Sequence, residues 1–305
     1  MDLRGLRYFV EVVRQNGFRR ASDVLHVTQP AISRAISSLE EEAGAQLLIR
    51  EPKGVTLTPE GGVFYRHATL ILRQSENLLS ELRDLRSMAK GVLRVGLPHM
   101  TGATFFGSVI TELRRKYPGI QLLITEYGTN QARGALANGD IEIAAAMLPI
   151  QDDWAITQPF GNDRLVLLCA KDHLLAAKHQ VSLGELSGEP FIGFSEDFKV
   201  NELIDQLCAK HGYRPNVVGR SAHLDLIVSM VVAGMGVALV PESASRKVKS
   251  SRLAILPVAD PGTVYDLALV RVKDSYLSNG GRAWIEIASK VIGFPILPAF
   301  VRQPG

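Results

Sequence analysis

Side chains suited to reading base pairs share one face of a predicted helix between positions 29 and 39. The apolar face of that helix comprises Ala31, Ile32, Ala35, Ile36 and Leu39. The opposite face comprises Pro30, Ser33, Arg34, Ser37 and Ser38, with Gln29 at the exposed N-terminal end. Gln can pair with adenine and Arg with guanine through two hydrogen bonds, and short side chains let a helix approach DNA closely. An ordinary solvated face is the alternative, but such faces carry more Lys and Glu, whereas the acids here begin at Glu40.

Basic residues flank this face where contacts to phosphates are needed. Two arginines open the preceding helix, and two cations lie on a predicted hairpin that forms a wing. Residues 1–60 hold eight basic and eight acidic residues, so the position of the charges matters and their sum does not. The predicted DNA-binding residues are Arg19, Arg20, Thr28, Gln29, Pro30, Ser33, Arg34, Ser37, Arg50 and Lys53.

The elements that position these residues follow from apolar spacing and turn signals. The i, i+3, i+4, i+7 pattern from Leu3 to Val13 predicts a first helix that ends at Gly17. A short helix around residues 21–25 and a tight break at 26–28 precede the helix from Gln29 to about Glu42, which Gly44 stops. Two short apolar strands, 47–50 and 55–57, enclose a Pro/Gly turn and predict a hairpin.

A long helix with coiled-coil spacing follows. Thr58 and Pro59 give a helix-start signal. The heptad positions are Phe64, Ala68, Ile71, Ser75, Leu78, Leu82, Leu85 and Ala89. This spacing predicts dimerisation through Phe64, Ile71, Leu78, Leu82 and Leu85. The alternative is a helix that packs on its own domain.

Strands and helices alternate from Gly91 onward. Two β-α-β-α-β runs, at 92–147 and 190–240, predict two α/β lobes with parallel sheets. The segments 164–170 and 265–272 are predicted to be strands that carry the chain between the lobes.

Composition excludes several classes of protein. The chain has 305 residues, a hydrophobic content of 46% and a net charge of +3, so it can build a sizeable core and is not generally disordered. Two cysteines rule out a disulfide scaffold. The longest uncharged stretch, 226–241, is shorter than a membrane span. It predicts a buried helix followed by a buried strand. With no signal-peptide pattern at residues 1–20, we expect a soluble, cytoplasmic protein that does not enter a membrane.

The run from Phe18 to Glu40, with Gln-Pro-Ala-Ile-Ser at positions 29–33, resembles the winged helix-turn-helix of LysR-type transcriptional regulators. Positions 47–50 and 57–61 match the family's wing and linker-helix start, and the likeness extends over the whole chain in order and length. The chain departs from the pattern at Gly17, Ser22 and Leu48, where Ser, Ala and Phe are usual. The resemblance implies an α/β protein with an N-terminal winged helix-turn-helix at 1–58, a long linker (dimerisation) helix at 59–90, and a two-lobed, periplasmic-binding-protein-like effector domain at 91–305.

The resemblance also implies a small-molecule effector between the lobes. Ligands in such sheets lie beyond the carboxyl ends of strands, near helix N-termini that favour anions. By similarity to family positions, the expected effector-binding residues are Met100, Thr101, Thr129, Met147, Phe198, Lys199 and His223. Hydroxyl and cationic groups there favour an organic anion, such as a carboxylate. The alternatives are that each Thr is a plain helix N-cap and that His223 is a surface histidine.

Implied partners are double-stranded promoter DNA, the effector, and further copies of the chain that form dimers and tetramers, with RNA polymerase as a further candidate. No cofactor and no metal are predicted, because the histidines show no ligand spacing.

Two other functions are alternatives to effector-controlled DNA binding. Some relatives sense oxidants through cysteines, and Cys208 is the candidate here, although Cys169 and Cys208 both lie in apolar segments typical of packing residues. An enzyme is the other alternative, but the chain contains no G-x-S-x-G, Walker or H-E-x-x-H motif, so binding without chemistry is expected.

Overall fold

The computed structural model of the chain describes residues 1–52, 54–86 and 91–303. The chain divides into two compact units, Met1–Arg86 and Ser87–Gly305. Among the helices described, none combines the length and the hydropathy needed to span a bilayer.

The first unit contains a three-helix core, a hairpin and a long helix. Its elements in chain order are α1 (Leu3–Arg14), α2 (Phe18–Leu25), α3 (Gln29–Ala43), β1 (Leu48–Glu51), β2 (Gly54–Leu57) and α4 (Pro59–Arg86). His26 adopts the left-handed conformation in the turn after α2, and Gly44 does so after α3, where it ends the helix. The winged helix-turn-helix predicted from the sequence is confirmed.

The apolar face predicted for α3 lies in the core of this unit. Ile32, Ile36 and Leu39 are buried against Phe9 and other residues of α1. The helix α4 begins where the sequence predicted, since the Thr58 hydroxyl accepts a hydrogen bond from the Gly61 amide at 2.9 Å.

The second unit is an α/β structure of two lobes. The first-lobe elements are β3 (Gly91–Leu97), α5 (His99–Thr101), a π-helical turn (Gly102–Phe106), α6 (Gly107–Lys116), β4 (Ile120–Glu126), α7 (Thr129–Asn138) and β5 (Ile143–Met147). Then follow β6 (Ala155–Ala170), β7 (Pro190–Phe194), α8 (Lys199–Lys210), β8 (Asn216–Ser221), α9 (Leu224–Val232), β9 (Ala238–Pro241), α10 (Glu242–Ser245) and β10 (Leu253–Pro257). The chain ends with β11 (Val264–Val272), α11 (Asn279–Ala288), a second π-helical turn (Ser289–Gly293) and α12 (Pro298–Val301).

The sheets are mixed, so the prediction of parallel sheets was wrong in this respect. Strands β5, β3 and β4 are parallel neighbours, and so are β7 and β8. Of the two crossover strands, β11 runs against them, because it lies between β5 and β6 and pairs antiparallel with both. The second half of β6 pairs antiparallel with β9 and β10, so this one strand takes part in both lobes.

Each lobe has its own apolar core. In the first lobe, Trp284 is fully buried and stacks on Phe106 with their rings 5.5 Å apart. The second-lobe core includes the first three residues of β9, Ala238, Leu239 and Val240, together with the inner faces of α8 and α9. The uncharged stretch 226–241 therefore contains the predicted strand, but α9 is only half-buried, since Leu226 is exposed.

Candidate functional sites

The polar face of α3 is open to solvent. Gln29, Pro30, Arg34 and Ser37 are exposed, and so are the flanking Thr28, Arg19 and Arg20. The Arg34 side chain lies along the helix, where its Nε donates to the Pro30 carbonyl at 3.4 Å. Lys53 lies outside the described residues.

Arg50 connects the wing, the hairpin of β1 and β2, to the polar face of α3. Its guanidinium lies 4.4 Å from the centre of the Phe18 ring and donates a hydrogen bond to the Ser33 hydroxyl at 3.1 Å. This contact holds the exposed Arg50 against the half-buried Ser33, so a cation of the wing and the face of α3 form one surface.

Two residues that the sequence reading missed fix the wing in place. Asn16, with a left-handed φ of 48°, accepts a hydrogen bond from the Val55 amide at 2.9 Å. Glu40 accepts from the Leu47 and Leu48 amides at 2.8 and 3.2 Å. The acid that follows the polar face of α3 therefore positions the wing, a role that only the long-range fold reveals.

The long helix α4 presents apolar residues in two ways. Phe64 packs edge-on against Phe9 with ring centroids 5.1 Å apart, and Ala68 is 1% exposed, so these two heptad positions belong to the core of the first unit. Phe64 is only partly buried by its own domain, so its part in a dimer seam stays a prediction. Farther along, Ile71, Leu78 and Leu82 are 40%, 57% and 46% exposed. Ala89 and the Leu85 side chain lie outside the described part of the chain.

A cleft of about 570 Å³, open to solvent, lies in the second unit. Five of the seven predicted effector residues line it, namely Met100, Thr101, Met147, Phe198 and Lys199. They come from the short helix α5 that follows β3, from the N-terminal end of α8 and from the C-terminal end of β5, as the rule for ligands at strand ends predicts.

The other two predicted residues differ from these five. The Thr129 side chain lies outside the described part of the chain, but the preceding Gly128 lines the cleft. A Cβ at position 128 would lie 1.6 Å from a carboxylate oxygen of Asp197, so this close approach requires glycine. The described lining does not include His223, whose ring lies 5.8 Å from that of His99 at the exposed N-terminus of α9.

Lys199 brings a positive charge to the cleft. Its ammonium donates to the Met147 carbonyl at 3.4 Å and to the Pro149 carbonyl. Partial burial lowers the pKa of Lys199, because a desolvated ammonium is less stable than one in water. A carboxylate at this position would replace the lost solvation of the ammonium.

A second polar group in the cleft was missed by the sequence reading. Asp163 of β6 accepts hydrogen bonds from the Arg164 amide at 2.8 Å, the Ser243 amide at 3.2 Å and the Ser243 hydroxyl. Burial, together with the charge and a hydrogen bond of Asp163, raises the pKa of Tyr265. Asp163, Ser243 and Tyr265 all line the cleft. They come from β6, α10 and β11, which no local motif connects.

Both cysteines lie in the apolar core of the second lobe. Cys169 and Cys208 are both fully buried free thiols. Burial raises the pKa of each thiol, which lowers the fraction of reactive thiolate. Among the described residues there is also no group of three or more His, Cys, Asp or Glu residues that could hold a metal ion.

The chain matches two models of known families. Residues 3–62 match the description "Bacterial regulatory helix-turn-helix protein, lysR family", and residues 86–292 match "LysR substrate binding domain". It is 37% identical over 286 residues to YwbI, an HTH-type transcriptional regulator of Bacillus subtilis, with 94% of this chain and 95% of the relative covered.

Solved structures of full-length regulators are similar as well. A full-length OxyR variant from Pseudomonas aeruginosa has a TM-score of 0.70 at 26% identity, covering 97% of this chain and 99% of that one. Full-length BenM has a TM-score of 0.61 at 28% identity, covering 98% of this chain and all of BenM. BenM of Acinetobacter baylyi is also similar by sequence, at 31% identity over 87% of this chain and 88% of the relative.

Proposed function

The chain belongs to the LysR family of bacterial transcriptional regulators, and we propose how its parts share the work of regulation. Residues 1–58 read promoter DNA, residues 59–90 pair two chains, and residues 91–305 bind an anionic small molecule that controls the DNA-bound state. The observation that carries the proposal is the acid-poor, exposed face of α3, to which Arg50 of the wing is joined.

In this proposal, two chains place two α3 helices on the half-sites of an interrupted palindrome. Contacts through the exposed residues of α4, from Ile71 onward, form the dimer, and pairs of dimers form a tetramer that bends the promoter. RNA polymerase is the proposed partner at the promoter. Effector in the cleft shifts the population between two quaternary states that space the DNA-binding domains differently.

Substitutions in the DNA-binding surface test the division between base contacts and phosphate contacts. We expect Arg34→Ala to cost about 1–3 kcal/mol of binding free energy and to relax the sequence preference, because Arg34 is proposed to contact a base. Lys53→Ala should weaken all sequences alike and reduce the salt slope by about one, because a phosphate contact carries no sequence information. Binding to operator and scrambled duplexes across a salt series distinguishes the two.

Arg7→Ala is the matched control, since Arg7 is an exposed arginine of α1 outside the proposed surface. It removes the same charge and should leave the sequence preference intact. If Arg34→Ala and Lys53→Ala both bind operator like the unmodified chain, the recognition surface is assigned wrongly.

Redox sensing through Cys208 is the competing proposal, and the raised thiol pKa together with full burial argues against it. Slow alkylation of the native chain, with fast alkylation after unfolding, is expected for a packing residue.

Catalysis is a further alternative, and consumption of a bound effector in a turnover assay would favour it over binding alone.

A further inference from the structure

Two polar groups of opposite hydrogen-bonding character line the cleft on either side of β11: Lys199 contacts the end of β5, and Asp163 belongs to β6. The Lys199 ammonium has three N–H groups, and two of them donate to the carbonyls of Met147 and Pro149. An ammonium has no lone pair, so a ligand group at Lys199 has to accept a hydrogen bond. A carboxylate meets this requirement and also supplies the opposite charge.

The other polar group, around Asp163, can only accept hydrogen bonds. A hydroxyl has one proton, and Ser243 donates its proton to Asp163. Tyr265 lies opposite Asp163 in the pairing of β11 with β6, and the Asp163 carboxylate, which only accepts hydrogen bonds, attracts the phenol proton and keeps it on the oxygen. What Ser243 and Tyr265 offer to a ligand is therefore their lone pairs, so a ligand group near Asp163 has to donate.

Charge favours a cationic donor over a neutral one. Asp163 is 8% exposed, and none of the described Lys, Arg or His side chains forms an ion pair with it. The neighbouring Arg164 guanidinium lies 3.7 Å from Glu242 instead. A buried carboxylate that forms no ion pair stabilises a positive group that reaches it.

The lining also has an apolar part. Met100, Phe198 and Leu267 face the cleft and suit a hydrocarbon or aromatic body. We infer that the effector is a zwitterion, an inference that rests on the effector site proposed above. Its carboxylate lies at Lys199, its ammonium lies at Ser243, Tyr265 and Asp163, and an apolar body joins the two. This narrows the anionic effector expected from the sequence, because a dicarboxylate would place a second anion beside Asp163.

Calorimetry on the full chain with compounds of equal length tests this inference. The aliphatic set is ε-aminocaproate, adipate and caproate, and the aromatic set is para-aminomethylbenzoate, terephthalate and para-toluate. We expect the amino acid of at least one set to bind about tenfold or more tightly than both of its partners. The inference is overturned if, in both sets, the dicarboxylate or the monocarboxylate binds as tightly as the amino acid, or if neither amino acid binds.

Variants separate a charge effect from a packing effect. Asp163→Asn should lower the affinity for the amino acid and raise that for the dicarboxylate, so that their ratio changes by about tenfold or more. Tyr265→Phe keeps Asp163 and should weaken the amino acid more than the monocarboxylate. Lys199→Gln should weaken all carboxylates alike. An equal loss for every ligand in Asp163→Asn and Tyr265→Phe would assign these residues to packing and overturn the inference.

These outcomes can be told apart from a failure of the proposed function. Binding of adipate or terephthalate without binding of either amino acid leaves the cleft as an effector site and removes only the zwitterion. Unchanged operator binding by Arg34→Ala and Lys53→Ala would remove the proposed DNA surface, whatever the cleft binds.

Discussion

Lys199 has a positive charge that is partly shielded from water, and its hydrogen bonds are to neutral carbonyls. Burial lowers its pKa, so its ammonium loses the proton at a lower pH than an exposed lysine does. A bound carboxylate interacts with the protonated form only. We therefore expect the affinity for any carboxylate effector to fall as the pH rises through this lowered pKa, when calorimetry is run from about pH 7 to about pH 10.

Lys199→Gln is the control for this prediction, because it keeps a donor and removes the titration. Its affinity for the carboxylate should be weaker and nearly independent of pH over the same range. A parallel pH dependence in the variant would assign the titration to another group.

Arg271 is the second single residue with a large expected effect. It is 2% exposed, and burial lowers its pKa. Its guanidinium donates to the carbonyls of Phe300, Ser275 and Arg302 at 2.6, 2.9 and 2.7 Å. Arg271→Met should lower the free energy of unfolding by roughly 3 kcal/mol, because several buried carbonyls lose their donors.

The C-terminal segment should be where this loss is seen first, since Phe300 and Arg302 are held by the same guanidinium. Denaturant unfolding measures the loss, and hydrogen exchange should increase around α12. Arg271→Lys keeps the charge but lacks the planar fork, so an intermediate loss is expected. Equal stability of Arg271→Met and the unmodified chain would contradict the assigned role.

At the scale of elements, α4 has an exposed apolar surface beyond the part that packs on its own domain. Leu78 and Leu82 are about half exposed and four residues apart, one turn along the helix. If this surface pairs two chains, the double variant Leu78→Gln and Leu82→Gln should raise the dimer dissociation constant by about tenfold or more in sedimentation equilibrium, because two apolar contacts are lost.

Leu174→Gln is the matched control, since Leu174 is 90% exposed and lies outside α4. It makes the same change of side chain and should leave the association constant unchanged. An unchanged constant in the double variant, or an equal loss in the control, would place the dimer contact elsewhere.

Comparison of α4 with the sequence shows what periodicity can and cannot predict. The heptad spacing correctly gave a long helix from Pro59, but it could not show that Phe64 packs against Phe9. The same limit applies to the wing, where Glu40 and Asn16 contact residues that are distant in sequence. Such contacts depend on how elements meet, and the local pattern contains no trace of that.

The residues that line the cleft show the same limit of prediction from sequence. Met100, Thr101 and Lys199 could be predicted because they follow strands, where ligands collect in α/β sheets. Asp163, Ser243 and Tyr265 could not, since β6 and β11 were predicted only as connections between lobes. The antiparallel pairing of these two strands brings residues about a hundred positions apart into one site.

For the whole molecule, we propose that the cleft couples effector binding to the arrangement of the lobes. Lys199 of the second lobe bonds to the carbonyls of Met147, the last residue of β5 in the first lobe, and of Pro149 just beyond it. An effector carboxylate would compete with those carbonyls for the ammonium. Binding would then exchange one contact between the lobes for another, which is how a small ligand can favour one of two arrangements.

The two units have separate cores, and this gives a prediction for unfolding. Both tryptophans, Trp154 and Trp284, lie in the second unit, so their fluorescence reports on that unit alone, whereas far-ultraviolet circular dichroism reports on both. At a hundredfold excess over its dissociation constant, an effector should stabilise the second unit by about 2.7 kcal/mol. We expect the unfolding midpoint measured by fluorescence to rise when effector is added. The part of the dichroism change that has no counterpart in the fluorescence belongs to the first unit, and its midpoint should not change. In Lys199→Gln the shift should shrink at the same effector concentration. A single transition that moves as a whole would show instead that the two units unfold together, and that effector binding reaches the DNA-binding unit through stability as well as through geometry.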